Sequence, residues 1–264
     1  MGSWRLNWLL KQIFSGSGYA KQRKVLQSVW PFYLSLLLKF FPDIYKKPIS
    51  LKLKNGGQFF INDFMSLYIY NEIFIEHCYD YPAIQKQSPV IIDIGANTGL
   101  FALRMKQLYP SAMIYCYEPF PPNFAQLSGN IQASNLKDVF IIPNGVGGRS
   151  RTEHLYVNKT NLGGHSLFAS EAHSNESVEI AITDITKVLN DTGHEHIDLI
   201  KMDCEGAEYE ILKAISPDLV KRIKVIIFES TESVYDINEL TAYLTGIGFK
   251  IEFQEKSCNY IAYS

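Results

Sequence analysis

The sequence lacks the features that mark several large classes of protein. No apolar run reaches the roughly 20 residues that a membrane-spanning helix needs, and the four cysteines lie far apart, without the close cysteine and histidine spacing of zinc sites. The formal net charge of the 264 residues is -2, which provides no electrostatic attraction to nucleic acid. These absences predict a cytoplasmic protein with buried free thiols and no nucleic-acid partner.

Two widespread nucleotide-binding signatures are also missing. No glycine-rich loop ends in Gly-Lys-Ser or Gly-Lys-Thr, and residues 93–99, D-I-G-A-N-T-G, lack the third glycine of the dinucleotide fingerprint. What remains is an apolar run at 90–92 that leads into this turn and then into a helix-like segment. Such a turn lets a ligand approach the backbone, and the helix that follows offers free N–H donors. The pattern therefore predicts a nucleotide site of another kind.

From residue 90 onward the apolar pattern alternates between strand and helix. Predicted strands cover 90–95, 113–118, 139–143, 197–203, 224–229, 248–254 and 258–263, and predicted helices cover 99–109, 121–134, 205–214 and 236–246. This alternation indicates an α/β fold, a doubly wound, Rossmann-like parallel sheet of seven strands with helices on both faces. Only residues 255–257 separate the last two strands, so the sheet should end in an antiparallel hairpin.

The whole chain is predicted to divide into two parts. Residues 1–48 are predicted to be a helical segment, and residues 49–264 are predicted to form the main domain. An insertion at 147–184 interrupts the alternation and contains strand-like pieces at 152–157 and 177–182. The N-terminal segment is interpreted as a lid that packs on the domain or on a second subunit. The alternative that stays open is a helix lying on a membrane surface, which would make the protein peripheral.

The region between the N-terminal segment and the strand at residue 90 is rich in aromatic residues. A hairpin is predicted around Asn55 and Gly56, because Asn-Gly between alternating runs is a strong turn signal. A helical pattern follows at 65–79. The aromatic side chains are interpreted as core, with a wall for the substrate as the alternative: Phe59, Phe60, Phe64, Tyr68 and Tyr70.

The turn at 93–99 resembles motif I of the class I S-adenosylmethionine-dependent methyltransferases. Residues 114–119, I-Y-C-Y-E-P, resemble the second strand of that family with its terminal acid, Glu118. The run at 201–208, K-M-D-C-E-G-A-E, is similar to the K-x-D-x-E-G-x-E signature of FkbM-type methyltransferases, and 161–167 and 227–229 agree with it. The resemblance covers roughly residues 60–262. It implies transfer of a methyl group from S-adenosylmethionine to a hydroxyl of a sugar, a glycan or a related natural product.

The resemblance also implies which residues hold the cofactor. Asp93 and Gly95 would frame its methionine portion, and Glu118 would accept hydrogen bonds from both ribose hydroxyls, since a carboxylate has two oxygens. Asn144 would lie near the adenine, with a role in a turn as the alternative. Thr98 is also expected to cap the helix that follows. The predicted cofactor contacts are Asp93, Gly95, Ala96, Asn97, Thr98, Gly99, Glu118, Pro119 and Asn144.

An acceptor hydroxyl must lose a proton, so a base is expected where the strands end. The candidate catalytic residues are Asp203, Glu205, Glu229 and His165. Clustered carboxylate oxygens also suit Mg²⁺, which some methyltransferases use to acidify a hydroxyl. A metal-free site is the favoured interpretation, and no metal ligands are assigned. Glu208 and Glu210 are interpreted as part of a solvated helix face.

Two other functions stay open. A non-catalytic scaffold of the same fold would act through residues 1–48, but the intact set of Asp93, Gly95 and Glu118 argues against a dead site. An amide N-methyltransferase would carry Asn/Asp-Pro-Pro-Tyr/Phe after the fourth strand, where D-C-E-G stands at 203–206. The expected partner is a small molecule or a glycan, and the sequence does not determine the oligomeric state.

Overall fold

The computed structural model describes residues 3–14, 16–41, 45–80, 84–157, 176–204, 206–231, 234–255 and 257–264. The candidate residues His165 and Glu205, and the loop at 161–167, lie outside the described residues. The helices are α1 (Ser3–Phe14), α2 (Gly16–Val25), α3 (Trp30–Phe40), α4 (Phe64–Asn71), α5 (Leu100–Leu108), α6 (Pro121–Ala133), α7 (Ile185–Asp191), α8 (Glu208–Lys213), α9 (Pro217–Val220) and α10 (Ile237–Gly246). The strands are β1 (Ile49–Lys52), β2 (Gln58–Ile61), β3 (Val90–Ile94), β4 (Met113–Tyr117), β5 (Val139–Ile142), β6 (Gly145–Gly147), β7 (Arg151–Tyr156), β8 (Ser177–Asp184), β9 (Leu199–Met202), β10 (Val225–Glu229), β11 (Lys250–Gln254) and β12 (Asn259–Tyr263).

Seven strands form the central sheet in the order β11-β12-β10-β9-β3-β4-β5. The five strands from β10 to β5 are parallel, whereas β12 is antiparallel to both of its neighbours. The predicted doubly wound α/β sheet and its C-terminal hairpin are therefore confirmed. The chain order reverses between β3 and β9, and ligands of such sheets bind in the crevice at this point.

Two hydrophobic cores cover the two faces of the sheet. Side chains of a strand point alternately to opposite faces, so Ile91 joins one core while Ile92 and Ile94 join the other. The first core includes α5 and α6, and the second includes α7, α8 and α10. Each fully buried isoleucine stabilises the fold by roughly 2 kcal/mol relative to an exposed one. A strand that is apolar throughout is thus explained by burial on both sides.

The N-terminal helices pack on the hairpin β1–β2 and on α4. Leu26, Phe32 and Leu36 are fully buried in the first core. The Phe32 and Tyr70 rings lie 5.7 Å apart, and the Tyr70 hydroxyl donates a hydrogen bond of 2.6 Å to Gln22. Among the described residues no helix is long and apolar enough to cross a membrane. The division of the chain at residue 48 stays a prediction.

The insertion contributes a second, smaller sheet. Strand β8 pairs parallel with β6 and antiparallel with β7, so the predicted strand-like pieces are present. The helix expected over 65–79 is α4 followed by a single π-helical turn, Glu72–Glu76, which ends at His77 with φ of 60°. The prediction of buried thiols is correct for Cys116 but wrong for Cys258, which is exposed, while Cys78 and Cys204 are half-buried.

Candidate active site

The turn between β3 and α5 forms the floor of a cleft. Gly95 has φ of 77°, and a Cβ atom there would overlap the carbonyl oxygen of Asp203, so only glycine lets the two backbones approach. Asn97 also has positive φ, 48°. The expected cap by Thr98 is wrong, because α5 begins without a side-chain cap. The Thr98 hydroxyl is instead buried at the cleft, without a hydrogen-bond partner among the described residues.

Glu118 stands at the end of β4, beside this turn. One carboxylate oxygen accepts the backbone N–H of Asn97 at 2.8 Å, and the other accepts that of Phe120 at 2.9 Å. Burial raises the pKa of Glu118 to about 7, although these two hydrogen bonds favour its charged form. Its side chain is 5% exposed, and that small surface lines the cleft. Each oxygen therefore keeps accepting capacity for a ligand.

A buried lysine joins three parts of the site. Lys201 lies on β9, with Nζ 3.2 Å from Oδ1 of Asp93 and 3.6 Å from Oδ2 of Asp203. It also donates a hydrogen bond of 2.8 Å to the carbonyl oxygen of Gly95. Burial lowers the pKa of Lys201, but the carboxylates of Asp93 and Asp203 outweigh this and leave it above its ordinary value. Lys201 is therefore a fixed cation that holds the turn against the end of β9.

One end of the cleft is acidic. Burial, together with the carboxylates of Asp203 and Glu229, raises the pKa of Glu72 to about 8. Desolvation by the surrounding protein and repulsion from Asp203 likewise raise the pKa of Glu229 to about 7. The Tyr79 hydroxyl donates a hydrogen bond of 3.2 Å to Oδ2 of Asp203. The carboxyl groups of Glu72 and Glu229 can therefore both bind and release a proton near neutral pH.

The cleft has a volume of about 280 Å³. Its floor consists of the motif turn and the ends of the neighbouring strands. Part of its wall comes from α4 with Met65 and Tyr68, and another part comes from the small sheet with Leu155 and Ile180. Of the aromatic residues upstream, Tyr68 lines the cleft as a substrate wall would, whereas Phe59 and Tyr70 are buried in the core.

Most of the predicted site residues meet in this cleft. Those that line it are Gly95, Ala96, Asn97, Thr98, Glu118, Pro119, Asp203 and Glu229. Asp93 is fully buried behind Lys201, and Gly99 packs on Leu127. The Asn144 amide donates to the Thr183 hydroxyl at 2.9 Å, and its contact with adenine stays a prediction.

Several residues that line the cleft are missing from the sequence-based set, among them Lys201, Glu72 and Tyr79. For Lys201 a signal existed, because a lysine inside an otherwise apolar buried strand needs a partner for its charge. Glu72 and Tyr79 lie upstream of the motif, on a segment whose helical spacing gave no sign that it would fold over the strand ends. Their position depends on how α4 packs.

Glu208 does not belong to a solvated face, and that interpretation is wrong. It is 1% exposed, and its two oxygens accept the backbone N–H groups of Cys204 and Gly206, each at 2.8 Å. This closes the turn after Asp203 and explains why α8 begins at Glu208 rather than at the predicted residue 205. Glu210 is half-buried and accepts both terminal nitrogens of Arg151, at 2.7 and 2.9 Å.

The described residues contain no group of three histidine, cysteine, aspartate or glutamate side chains arranged to hold a metal ion. Asp203 and Glu229, two of the three acids considered for Mg²⁺, both line the cleft. The third, Glu205, lies outside the described residues.

Comparison with known proteins identifies one family of methyltransferases. The family model described as Methyltransferase FkbM domain matches residues 93–260. Methyltransferase sdnD of Sordaria araneosa is 31% identical over 214 residues, which covers 70% of this chain and 82% of its own. The 31-O-demethyl-FK506 methyltransferase FkbM of Streptomyces tacrolimicus is 24% identical over 233 residues, with 76% and 89% covered. The 2-O-methyltransferase NoeI of Sinorhizobium fredii is 25% identical over 165 residues, with 58% and 68% covered.

Proposed function

The chain belongs to the methyltransferases with an FkbM domain, and from this premise we propose that it methylates a hydroxyl oxygen with S-adenosylmethionine as the methyl donor. The acceptor that we propose is a sugar, a glycan or a related natural product. The names of two relatives support an oxygen acceptor, because they are described as acting on 31-O-demethyl-FK506 and as a 2-O-methyltransferase.

The residues of the cleft fit this cofactor. Glu118 keeps accepting capacity towards the cleft, which suits the two adjacent hydroxyls of a ribose. The buried Thr98 hydroxyl adds a polar group without a partner among the described residues. Asp203, Glu229 and Glu72 line the other end of the cleft beside Lys201, and a positively charged ligand there would favour the ionised forms of Glu229 and Glu72. This pairing of a ribose acceptor with an acidic end is the observation that carries the proposal.

Bound S-adenosylmethionine supplies a methyl group on a sulfonium centre that is already activated for transfer. The protein must therefore position the acceptor and remove the proton of its hydroxyl. We assign the proton to the Glu229 carboxylate, because a base works best when its pKa lies near the working pH. Tyr79 and Lys201 hold Asp203 in place beside it. The Tyr68 ring supplies a flat surface for a sugar.

The test begins with binding and then separates binding from chemistry. Calorimetry should show that the protein binds S-adenosylhomocysteine, and a screen of glycans and nucleotide sugars, with Mg²⁺ or with EDTA, should identify an acceptor. For Glu229→Gln we expect kcat/KM to fall by roughly 100-fold, with little change in affinity for S-adenosylhomocysteine. Glu252→Gln, on the edge strand β11, is the matched control.

Each outcome decides a separate part of the proposal. If the intact protein does not bind S-adenosylhomocysteine, a non-catalytic scaffold becomes the better explanation. Methylation of amines but not of hydroxyls would establish the N-methyltransferase alternative. Full activity of Glu229→Gln would show that Glu229 is not the proton acceptor and would leave Asp203 and Glu205 as the candidates. Activity that EDTA removes and Mg²⁺ restores would show that the site needs a metal.

A further inference from the structure

Helix α3 buries one face and exposes a second apolar face. Phe32 and Leu36 are fully buried against the domain. Trp30, Leu34, Leu37 and Phe41 are exposed, with Trp30 at 73% and Leu37 at 60%. Their spacing of four, three and four residues places them on one side of the helix. Four large apolar side chains in one row form a surface that a monomeric soluble protein seldom leaves in water.

The neighbouring helices also carry exposed apolar and aromatic side chains. Leu6 and Leu10 are exposed one turn apart on α1. On α2 the Tyr19 ring stacks on Tyr33 of α3 at 6.2 Å, and the Arg23 guanidinium lies over the Tyr19 ring at 6.0 Å. An exposed basic side chain of α2 therefore lies beside the aromatic ring that stacks on Tyr33 of α3.

The same segment carries a strong positive charge. Residues 1–48 contain eight lysine and arginine residues and a single acidic residue, Asp43. This is a formal charge of +7 in a chain whose total is -2, so the remainder of the protein is clearly acidic. Six of the basic side chains are exposed: Lys11, Lys21, Arg23, Lys24, Lys46 and Lys47. An amphipathic surface with aromatic and aliphatic residues beside lysine and arginine is typical of helices that lie in the membrane interface.

We propose that helices α1, α2 and α3 dock the protein on an anionic lipid membrane, with the apolar row of α3 in the interface and the basic side chains against the lipid headgroups. The positive charge of this segment favours a membrane over a second copy of the chain as the binding partner of the surface. A symmetric dimer would place the same positive surface on both sides of the contact, where like charges repel. An anionic bilayer instead attracts each exposed lysine or arginine.

The docking surface lies close to the catalytic cleft. The Phe64 ring of α4 packs on Trp8 of α1 at 5.4 Å and on Phe40 of α3 at 5.8 Å. Met65 and Tyr68 of the same helix line the cleft. A single helix therefore separates the proposed membrane surface from the site. This proposal does not depend on the chemistry of the acceptor, because binding of vesicles is measured without substrate.

Vesicle flotation tests the proposal with the full chain. The protein should float with vesicles of equal parts phosphatidylglycerol and phosphatidylcholine, and not with phosphatidylcholine alone. The double variant Trp30→Glu/Leu37→Glu should lose binding. Lys21→Gln/Lys24→Gln should bind about 10-fold more weakly or worse at low salt. Leu108→Glu and Lys221→Gln/Lys250→Gln, which change exposed residues elsewhere, should bind as the wild type does.

Circular dichroism and affinity for S-adenosylhomocysteine should be unchanged in every variant, which shows that a loss of flotation is not a loss of fold. The proposal is overturned if the wild type ignores anionic vesicles or binds phosphatidylcholine equally well. It is also overturned if the wild type is a dimer that Trp30→Glu/Leu37→Glu converts to a monomer while flotation is absent.

Discussion

The ammonium group of Lys201 lies 3.2 Å from Oδ1 of Asp93, and the Asp93 side chain is completely buried. The two residues are direct neighbours on the parallel strands β9 and β3. Lys201 reaches further, to the carbonyl oxygen of Gly95 and to Asp203 at the cleft. One cation thus connects an acid inside the sheet, the motif turn and an acid of the site.

Replacing Lys201 by methionine should destabilise the fold. The variant leaves Asp93 buried without its partner, and breaking a buried ion pair in this way typically costs about 3–5 kcal/mol. Chemical denaturation would measure the loss in the free energy of unfolding. The double variant Asp93→Asn/Lys201→Met removes both charges of this pair, so we expect it to be more stable than Lys201→Met alone.

The pH dependence of Lys201→Met provides an independent check. Burial already raises the pKa of Asp93, and removing Lys201 removes the main opposing influence. A group whose pKa is raised in the folded state stabilises the fold at low pH and loses that contribution as the pH rises. The deficit of Lys201→Met should therefore be larger at about pH 8 than at about pH 5. A deficit that is equal at both would show that Asp93 stays charged without the lysine.

Replacing Glu118 by glutamine should weaken cofactor binding. Glutamine keeps the shape but offers one acceptor oxygen where the carboxylate offers two, so the N–H of Asn97 or that of Phe120 also loses its partner. We expect affinity for S-adenosylhomocysteine to fall at least about 10-fold, or about 1.4 kcal/mol, by calorimetry. Glu239→Gln, at a site outside the cleft, is the control. An unchanged affinity would remove Glu118 from the cofactor site.

Two glycine-to-alanine substitutions should have opposite effects. At Gly95 the φ is positive and the added methyl group would overlap the Asp203 carbonyl oxygen, so we expect a loss of at least about 2 kcal/mol in stability. At Gly129, inside α6, a Cβ atom meets nothing within 4 Å. Alanine there should stabilise the protein by about 0.5–1 kcal/mol. Thermal unfolding of both variants measures the contrast, and equal effects would contradict the close approach at Gly95.

Replacing Glu72 by glutamine should make stability less dependent on pH. The pKa of Glu72 is raised to about 8 in the folded protein, so the fold retains a proton that the unfolded chain releases at lower pH. Stability from this group is complete below the unfolded pKa and disappears as the pH rises through about 8. Glu72→Gln should therefore lose less stability than the wild type between about pH 6 and pH 8. Denaturation curves at these two values test it, with the half-buried Glu252→Gln on the edge strand β11 as the control.

The carboxyl group of Glu72 should also make the affinity for a positively charged ligand depend on pH. A positively charged ligand near Glu72 favours the carboxylate, so its binding releases a proton and strengthens as the pH rises towards 8. S-adenosylhomocysteine lacks the sulfonium charge and should show a smaller dependence than S-adenosylmethionine. In Glu72→Gln the difference between the two ligands should shrink. An identical pH dependence for both ligands in the wild type would place Glu72 away from the sulfonium.

Local patterns determined the sheet and the motif turn. The apolar run before Gly95 predicts a strand buried on both faces, and β3 is buried along its whole length. Glu118 could be placed from sequence, since an acid that ends a parallel strand must lie at the ligand edge of the sheet. The positive φ required at Gly95 is likewise a property of the turn itself.

Other features were decided only by the tertiary structure. Glu208 looked solvated because a sequence shows its helix but not the backbone N–H groups of Cys204 and Gly206 that it meets. Glu72 joins the site because α4 packs over the strand ends, and its pKa depends on neighbours more than a hundred residues away in the chain. The sequence by itself determined the fold and the motif turn at 93–99, because these follow from local periodicity and backbone conformation. Burial and contacts between charged residues that are distant in the chain follow from long-range packing. They produce the acidic end of the cleft and determine which face of α3 stays exposed.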